Sequence, residues 1–158
     1  MIQPLGDLLR TQQVAALGTL HEGHPFVSMV PFAALADGTG FVIHVSQLAT
    51  HTKDMITDPI VSLLVMAPPA PQVMPQAIAR VTIQGEAMPC AEPDPLHAQA
   101  RAAYLARFPQ SEEMFGFADF SLFVIRPTAV RFVGGFAQAR SLSPATLASL
   151  LRADPESR

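Results

Sequence analysis

Apolar and polar positions change rhythm several times along the chain, and each change marks an element. Leu5, Leu8 and Leu9, with Gln12 completing the spacing, recur at helical intervals through 4–13, which predicts a short amphipathic leading helix. The period then shortens to that of strands over 14–20 and 26–35, around the Gly-containing turn His21-Glu22-Gly23-His24. Ala36-Asp37-Gly38-Thr39-Gly40 is a second turn, where Asp-Gly supplies positive φ cheaply, and it feeds the apolar strand 41–45. A short helix follows and closes at Asp58-Pro59, because proline disfavours helical geometry in the residue before it. The β-branched run 60–66 is the next strand.

Residues 67–76 hold four prolines and read as a stiff loop. Alternation resumes over 77–88, with Val81, Ile83 and Gly85 on one side and Arg80, Thr82, Gln84 and Glu86 on the other. Pro93-Asp94-Pro95 opens a helix through Phe108, whose apolar stripe is Leu96, Ala100, Ala103 and Tyr104. Two strands, 119–126 and 129–136, pivot at Pro127. Ser143-Pro144 starts a final helix over 143–152, with serine as cap and proline in the first turn. Six to seven antiparallel strands with flanking helices define a mainly β, α+β domain, and a small barrel removes its sheet edges. That single domain is expected to span 1–152, with 153–158 a disordered tail.

Composition adds limits to this picture. Hydrophobic residues make up 49% of 158 and charged ones only 15%, too few to cover every apolar face, so a homo-oligomer is expected. A net charge of −3, with ten Lys and Arg forming no run, argues against nucleic acid as partner. Cys90 is the single cysteine, which excludes an intrachain disulfide and favours a cytoplasmic protein. No apolar run approaches about 20 residues, and no basic-then-apolar leader is present, so neither a membrane span nor a signal peptide is expected.

The candidate chemistry sits between two greasy strands, in Ser46-Gln47-Leu48-Ala49-Thr50-His51-Thr52-Lys53. Hydroxyls, an imidazole, an ammonium and the free N–H groups of a new helix suit a phosphate ester or another anion. The three consecutive residues His51, Thr52 and Lys53 converge only at a helix start, where Thr50 or Thr52 is positioned to cap. An ordinary capped surface helix has the same composition. His21-Glu22-Gly23-His24 has a metal-like spacing but no supporting carboxylate cluster beyond Glu22, so no metal site is assigned. Cys90 has no activating neighbour. Gly-x-Ser-x-Gly, Walker and dinucleotide fingerprints are absent, which disfavours hydrolases and nucleotide-phosphate enzymes.

Several stretches, in order, resemble the pyridoxamine 5′-phosphate oxidase-like FMN-binding split barrels. They are Leu17-Gly18-Thr19-Leu20, 23–32 with Val30-Pro31-Phe32, Asp37-Gly38, 46–53, 80–85, Asp119-Phe120 and 131–136 ending Val133-Gly134-Gly135-Phe136. The spellings Val-Pro-Phe, Leu-Ala-Thr-His-Thr and Val-Gly-Gly-Phe are most similar to the branch of haem-utilisation proteins. The resemblance implies a split β-barrel homodimer holding FMN in clefts between subunits, and a small redox enzyme. It places the phosphate at His51, Thr52 and Lys53 with Ser46 nearby, and the flavin along Ser28, Met29, Val30, Pro31 and Phe32. Arg80 would face the pyrimidine side, while Gly135 and Phe136 close the pocket from the partner subunit. His51 and Tyr104 are candidate acids, and the redox substrate stays unassigned.

Departures from the family pattern shape that expectation. The oxidase proper carries an arginine and a lysine on the 28–33 strand, whereas this chain has Ser28 and Ala33. Substrate-binding basic residues near its C-terminus are also missing, so pyridoxamine phosphate oxidation is not expected. Haem binding or degradation is the alternative, as is a non-catalytic flavin-binding module. Haem-binding members of the family use a C-terminal histidine as axial ligand, and the last histidine here is His97.

Overall fold

The computed structural model describes residues 3–152; the tail expected at 153–158 lies outside the described residues. Eight strands form one sheet in the order β2-β1-β5-β6-β7-β4-β3, with β8 added to β7. Every pairing is antiparallel. The strands are β1 Val14–His21, β2 His24–Pro31, β3 Ala33–Ala34, β4 Phe41–Ser46, β5 Ile60–Met66, β6 Arg80–Pro89, β7 Phe120–Val133 and β8 Ala139–Leu142. Four helices flank them: α1 Gln3–Thr11, α2 Thr50–Thr57, α3 His97–Arg107 and α4 Pro144–Arg152. This is the split β-barrel with flanking helices that the sequence predicts. No described helix is long and apolar enough to cross a membrane.

Period-two patterning sorts the strands' side chains. Leu17, Leu63, Val65, Val81 and Ile83 turn into one core with Phe41, Ile43, Phe123 and Ile125. Each such side chain, fully buried, contributes about 1.5–3 kcal/mol of transfer free energy. β4 is buried on both faces: Val42 on its other side joins a second core with Leu122, Val124 and the α3 residues Ala100 and Tyr104. A strand covered twice reads as a continuous apolar run, which is how Phe41–Ser46 reads.

Three expectations are corrected, and two elements come unannounced. The strand expected over 26–35 breaks after Pro31, and Ala33–Ala34 pairs instead with β4. The α3 helix begins at His97 rather than at the prolines before it. A 3-10 stretch, Pro109–Gly116, and β8 have no apolar periodicity that would announce them. The two strands expected to pivot at Pro127 are one strand, β7. Pro127 is tolerated because the register slips between Gln84 and Gly85, where the ladder needs no N–H. Gly85 makes that bulge possible, since a Cβ there would sit 2.5 Å from the Arg126 carbonyl oxygen.

Distant segments also lock together. Arg107, at the end of α3, donates to the carbonyls of Leu9 at 3.0 Å and Arg10 at 3.3 Å, and to that of Gln12, while lying 4.9 Å over the Phe32 ring. It thus satisfies carbonyls that α1 leaves open at its C-terminus. Ser143 caps α4 as expected, its Oγ accepting from the Thr146 N–H at 3.1 Å.

Candidate functional site

The chain leaves β4 at Ser46 and enters α2 four residues later. Ser46 organises the turn: its Oγ accepts from the Leu48 N–H at 3.1 Å and its carbonyl from the Ala49 N–H at 3.1 Å. The N-cap of α2 is Ala49, and no side chain caps the helix. Neither Thr50 nor Thr52 does so, contrary to the sequence expectation. Thr52 is fully buried and turns back, its hydroxyl donating to the Ser46 carbonyl at 2.6 Å. The first-turn N–H groups therefore lack a side-chain acceptor, the arrangement that favours an anion. Lys53 is exposed beside them.

Across from α2 runs β2, an edge strand. Ser28 faces the helix, with its Oγ 3.0 Å from His51 Nδ1. Burial holds the His51 imidazole below its ordinary pKa, against the charge of Asp54, which raises it. Asp54 itself is 5% exposed and accepts from Thr19 Oγ1 at 2.8 Å and from His21 Nδ1 at 2.7 Å. Sequence reading missed Asp54 and His21 as partners. The available signal was an acidic residue between Thr52 and Met55 on a helix that must pack inward.

The remaining candidates divide. Val30 and Phe32 point into the core at 2% and 0% exposure, so they offer a ligand no wall, while Pro31 is half-buried. The outer face of β2 is the open apolar one, with Val27 at 67% and Met29 at 63% exposure. Val27 pairs with Gly18, which pairs in turn with Ser62, and these small residues help to floor a groove of about 400 Å³ bordered by Leu20 and Ile60. Ser46 Oγ lies 3.4 Å from Asp119 Oδ2. Arg80 is tied to its own segment, donating to the Gln76 and Ile78 carbonyls at 2.8 and 3.0 Å. It stands on β6, three inter-strand steps from β2, or about 14 Å. Gly135 and the exposed Phe136 follow β7, a strand further on. One protomer thus gathers Ser28, Ser46, His51, Thr52 and Lys53 but leaves Arg80, Gly135 and Phe136 apart.

A second groove, of about 610 Å³, lies beside α3. Its buried His44 stacks on Phe115 at 3.9 Å and meets Tyr104 edge-on at 5.7 Å. Burial pushes the His44 pKa down to about 4 and the Tyr104 phenol up. Tyr104 belongs to this second core rather than to the α2 start. Among the described residues, no three His, Cys, Asp or Glu side chains are grouped to hold a metal ion.

The sequence and the curled antiparallel sheet both have known counterparts. Residues 3–134 match the pyridoxamine 5′-phosphate oxidase family, and the chain belongs to it. Among its relatives is the non-canonical heme oxygenase HOZ, chloroplastic, of Arabidopsis thaliana, 41% identical over 119 residues, which are 75% of this chain and 35% of that protein. The chain therefore spans about a third of that relative's length. The structure of a heme binding protein from Mycobacterium smegmatis superposes with a TM-score of 0.81 at 32% identity, over 93% of this chain and 59% of that one. HutZ, the heme storage protein of Vibrio cholerae, shares the fold with a TM-score of 0.75 at 22% identity, over 85% of this chain and 95% of that one.

Proposed function

We propose that this protein binds haem in a cleft between two copies of the chain, anchored at the start of α2. The observation that carries this reading is the meeting, across one edge strand, of two unlike surfaces. On one side are the exposed apolar Val27 and Met29; on the other are the uncapped first turn of α2, His51 and Lys53. A planar apolar macrocycle with two carboxylates needs both surfaces. The α2 N–H groups and the Lys53 ammonium hold carboxylate, Ser28 orients His51, and the outer face of β2 shields the ring from water. A second copy is part of the proposal: Arg80 and Phe136 stand three and more strands from β2 within the sheet, and a partner protomer would bring its own to the α2 start. Haem supplies the iron chemistry when bound, and the name of the Arabidopsis relative supports an expectation of oxidative turnover.

FMN with a small redox activity is the second reading, favoured by family membership and by the open helix start. The 28–33 stretch speaks against it: a phosphate dianion needs more cationic charge than Lys53 and one helix terminus supply, and Ala33 is buried.

Absorption titrations with haemin and with FMN, each followed by gel filtration and light scattering, separate the readings. A Soret band that travels with a dimer supports haem, and its loss on adding a reductant in air supports turnover. Flavin bands travelling with the dimer, with haemin passing through unbound, would overturn the first reading in favour of the second. A monomer holding haem would refute the intersubunit cleft. Lys53→Ala is expected to weaken haemin binding by about threefold to tenfold while leaving the folded state intact.

A further inference from the structure

We propose that Asp54 is a positioning residue that locks α2 to the β1–β2 hairpin, and that the charge on His21 sets how firmly the lock keeps Ser28 against His51. The inference rests on the reading of the α2 start as a ligand site.

Among the described residues, three side-chain hydrogen bonds join α2 to the hairpin. They are Ser28–His51 at 3.0 Å, Thr19–Asp54 at 2.8 Å and His21–Asp54 at 2.7 Å. Two of the three end on Asp54, which lies three residues past His51, on the inward side of the helix. A buried carboxylate must be paired or heavily hydrogen-bonded. Here one oxygen takes a neutral hydroxyl from Thr19, itself 3% exposed, so the compensating charge comes from His21. The His21 side chain is 47% exposed, open to exchange protons with solvent. The lock is thus buried at its carboxylate end and in contact with solvent at its imidazole end.

The groups facing His21 decide the sign. From α2 comes Asp54; the turn contributes Glu22; His24 stands directly opposite in β2, and the Phe26 ring lies 5.9 Å away. The hydrogen bond to Asp54 raises His21 above its ordinary 6.5, with the charges of Asp54 and Glu22 adding to this against burial. Burial pushes Asp54 up, but the bonds from His21 and Thr19 outweigh it and hold the carboxyl below its ordinary 3.8. The charged pair is therefore complete below pH 6.5, down to the acid range, and is lost as pH rises through the elevated His21 value. His51, held below 6.5, stays neutral through that upper window and does not mask the effect. Above the window, neutral His21 still donates from Nδ1, but the bond loses its charge assistance.

The experiment needs no ligand for its first arm. Amide hydrogen exchange of residues 51–55 in the unliganded protein, corrected for intrinsic rates, is compared at pH 6.5 and about 8.5. Protection should fall by about threefold at the higher pH, a modest change suited to a half-exposed partner. His21→Gln keeps an N–H donor without a titratable group, and should abolish that pH dependence. Asp54→Asn should lower protection at both values. In the second arm, wild-type haemin affinity should fall by about the same factor over the same range, and His21→Gln should bind with flat affinity. An unchanged exchange profile in His21→Gln overturns the lock. Exchange that behaves as stated, with haemin unbound at both values, leaves the lock standing and overturns the ligand reading on which its role rests.

Discussion

Thr52→Val asks whether this residue serves a ligand or the fold. Valine matches threonine in shape and nearly in helix propensity, so the change removes little beyond the hydroxyl. That hydroxyl is fully buried and donates to the Ser46 carbonyl at 2.6 Å. The carbonyl is not orphaned by its loss, because the Ala49 N–H still reaches it at 3.1 Å. The cost therefore lies at the low end of the range for buried hydrogen bonds, about 1 kcal/mol. For a domain of this size that lowers Tm by about 2–4 °C. Urea unfolding followed by circular dichroism should show a lower midpoint with an unchanged m-value, since the surface exposed on unfolding is the same. Haemin affinity in the folded protein should stay within about twofold, because the open N–H groups and Lys53 remain. An unmoved midpoint combined with a large loss of affinity would refute this reasoning and return the hydroxyl to the ligand.

Three other outcomes are expected. The His44 imidazole, held near 4 by burial, binds protons more readily in the unfolded chain, so stability should fall as pH drops from 6.5 towards 4. His44→Phe should flatten that slope in thermal melts, and an equally steep slope would exclude His44 as its source. Gly38→Ala should destabilise by about 2–4 kcal/mol: its φ is +74° and a Cβ would lie 2.4 Å from the Ala148 carbonyl oxygen, and an unchanged melting temperature would contradict that contact. Light scattering of the haemin-loaded protein should give twice the chain mass.

Much of the fold was legible because its signals are local. The β-branched run 60–66, period-two alternation over 77–88, Asp-Gly at 37–38 and Ser143-Pro144 each specify an element with no reference to the rest of the chain. The failures involve information carried by a neighbour. Pro127 reads as a break until Gly85, on the adjacent strand, supplies the bulge that absorbs it. Ser28, Val30 and Phe32 share a face, as alternation says, but sequence cannot tell which face of an edge strand meets the core. The polar cluster at 46–53 was visible from composition, whereas the inward turn of Thr52 and the pairing of Asp54 with His21 depend on how α2 sits against β1. No periodicity encodes that placement.

The grip of Arg107 on the end of α1 bears on how the chain is made. The guanidinium reaches back 95 to 98 residues to carbonyls that leave the ribosome long before it does. At synthesis rates of about 5–20 residues per second, those carbonyls wait about 5–20 seconds for their partner. A nine-residue helix is too short to hold itself in water over that interval. The α1 segment therefore stays unsettled at least until α3 has emerged, and its greasy leucines remain open to a nascent-chain chaperone over that interval.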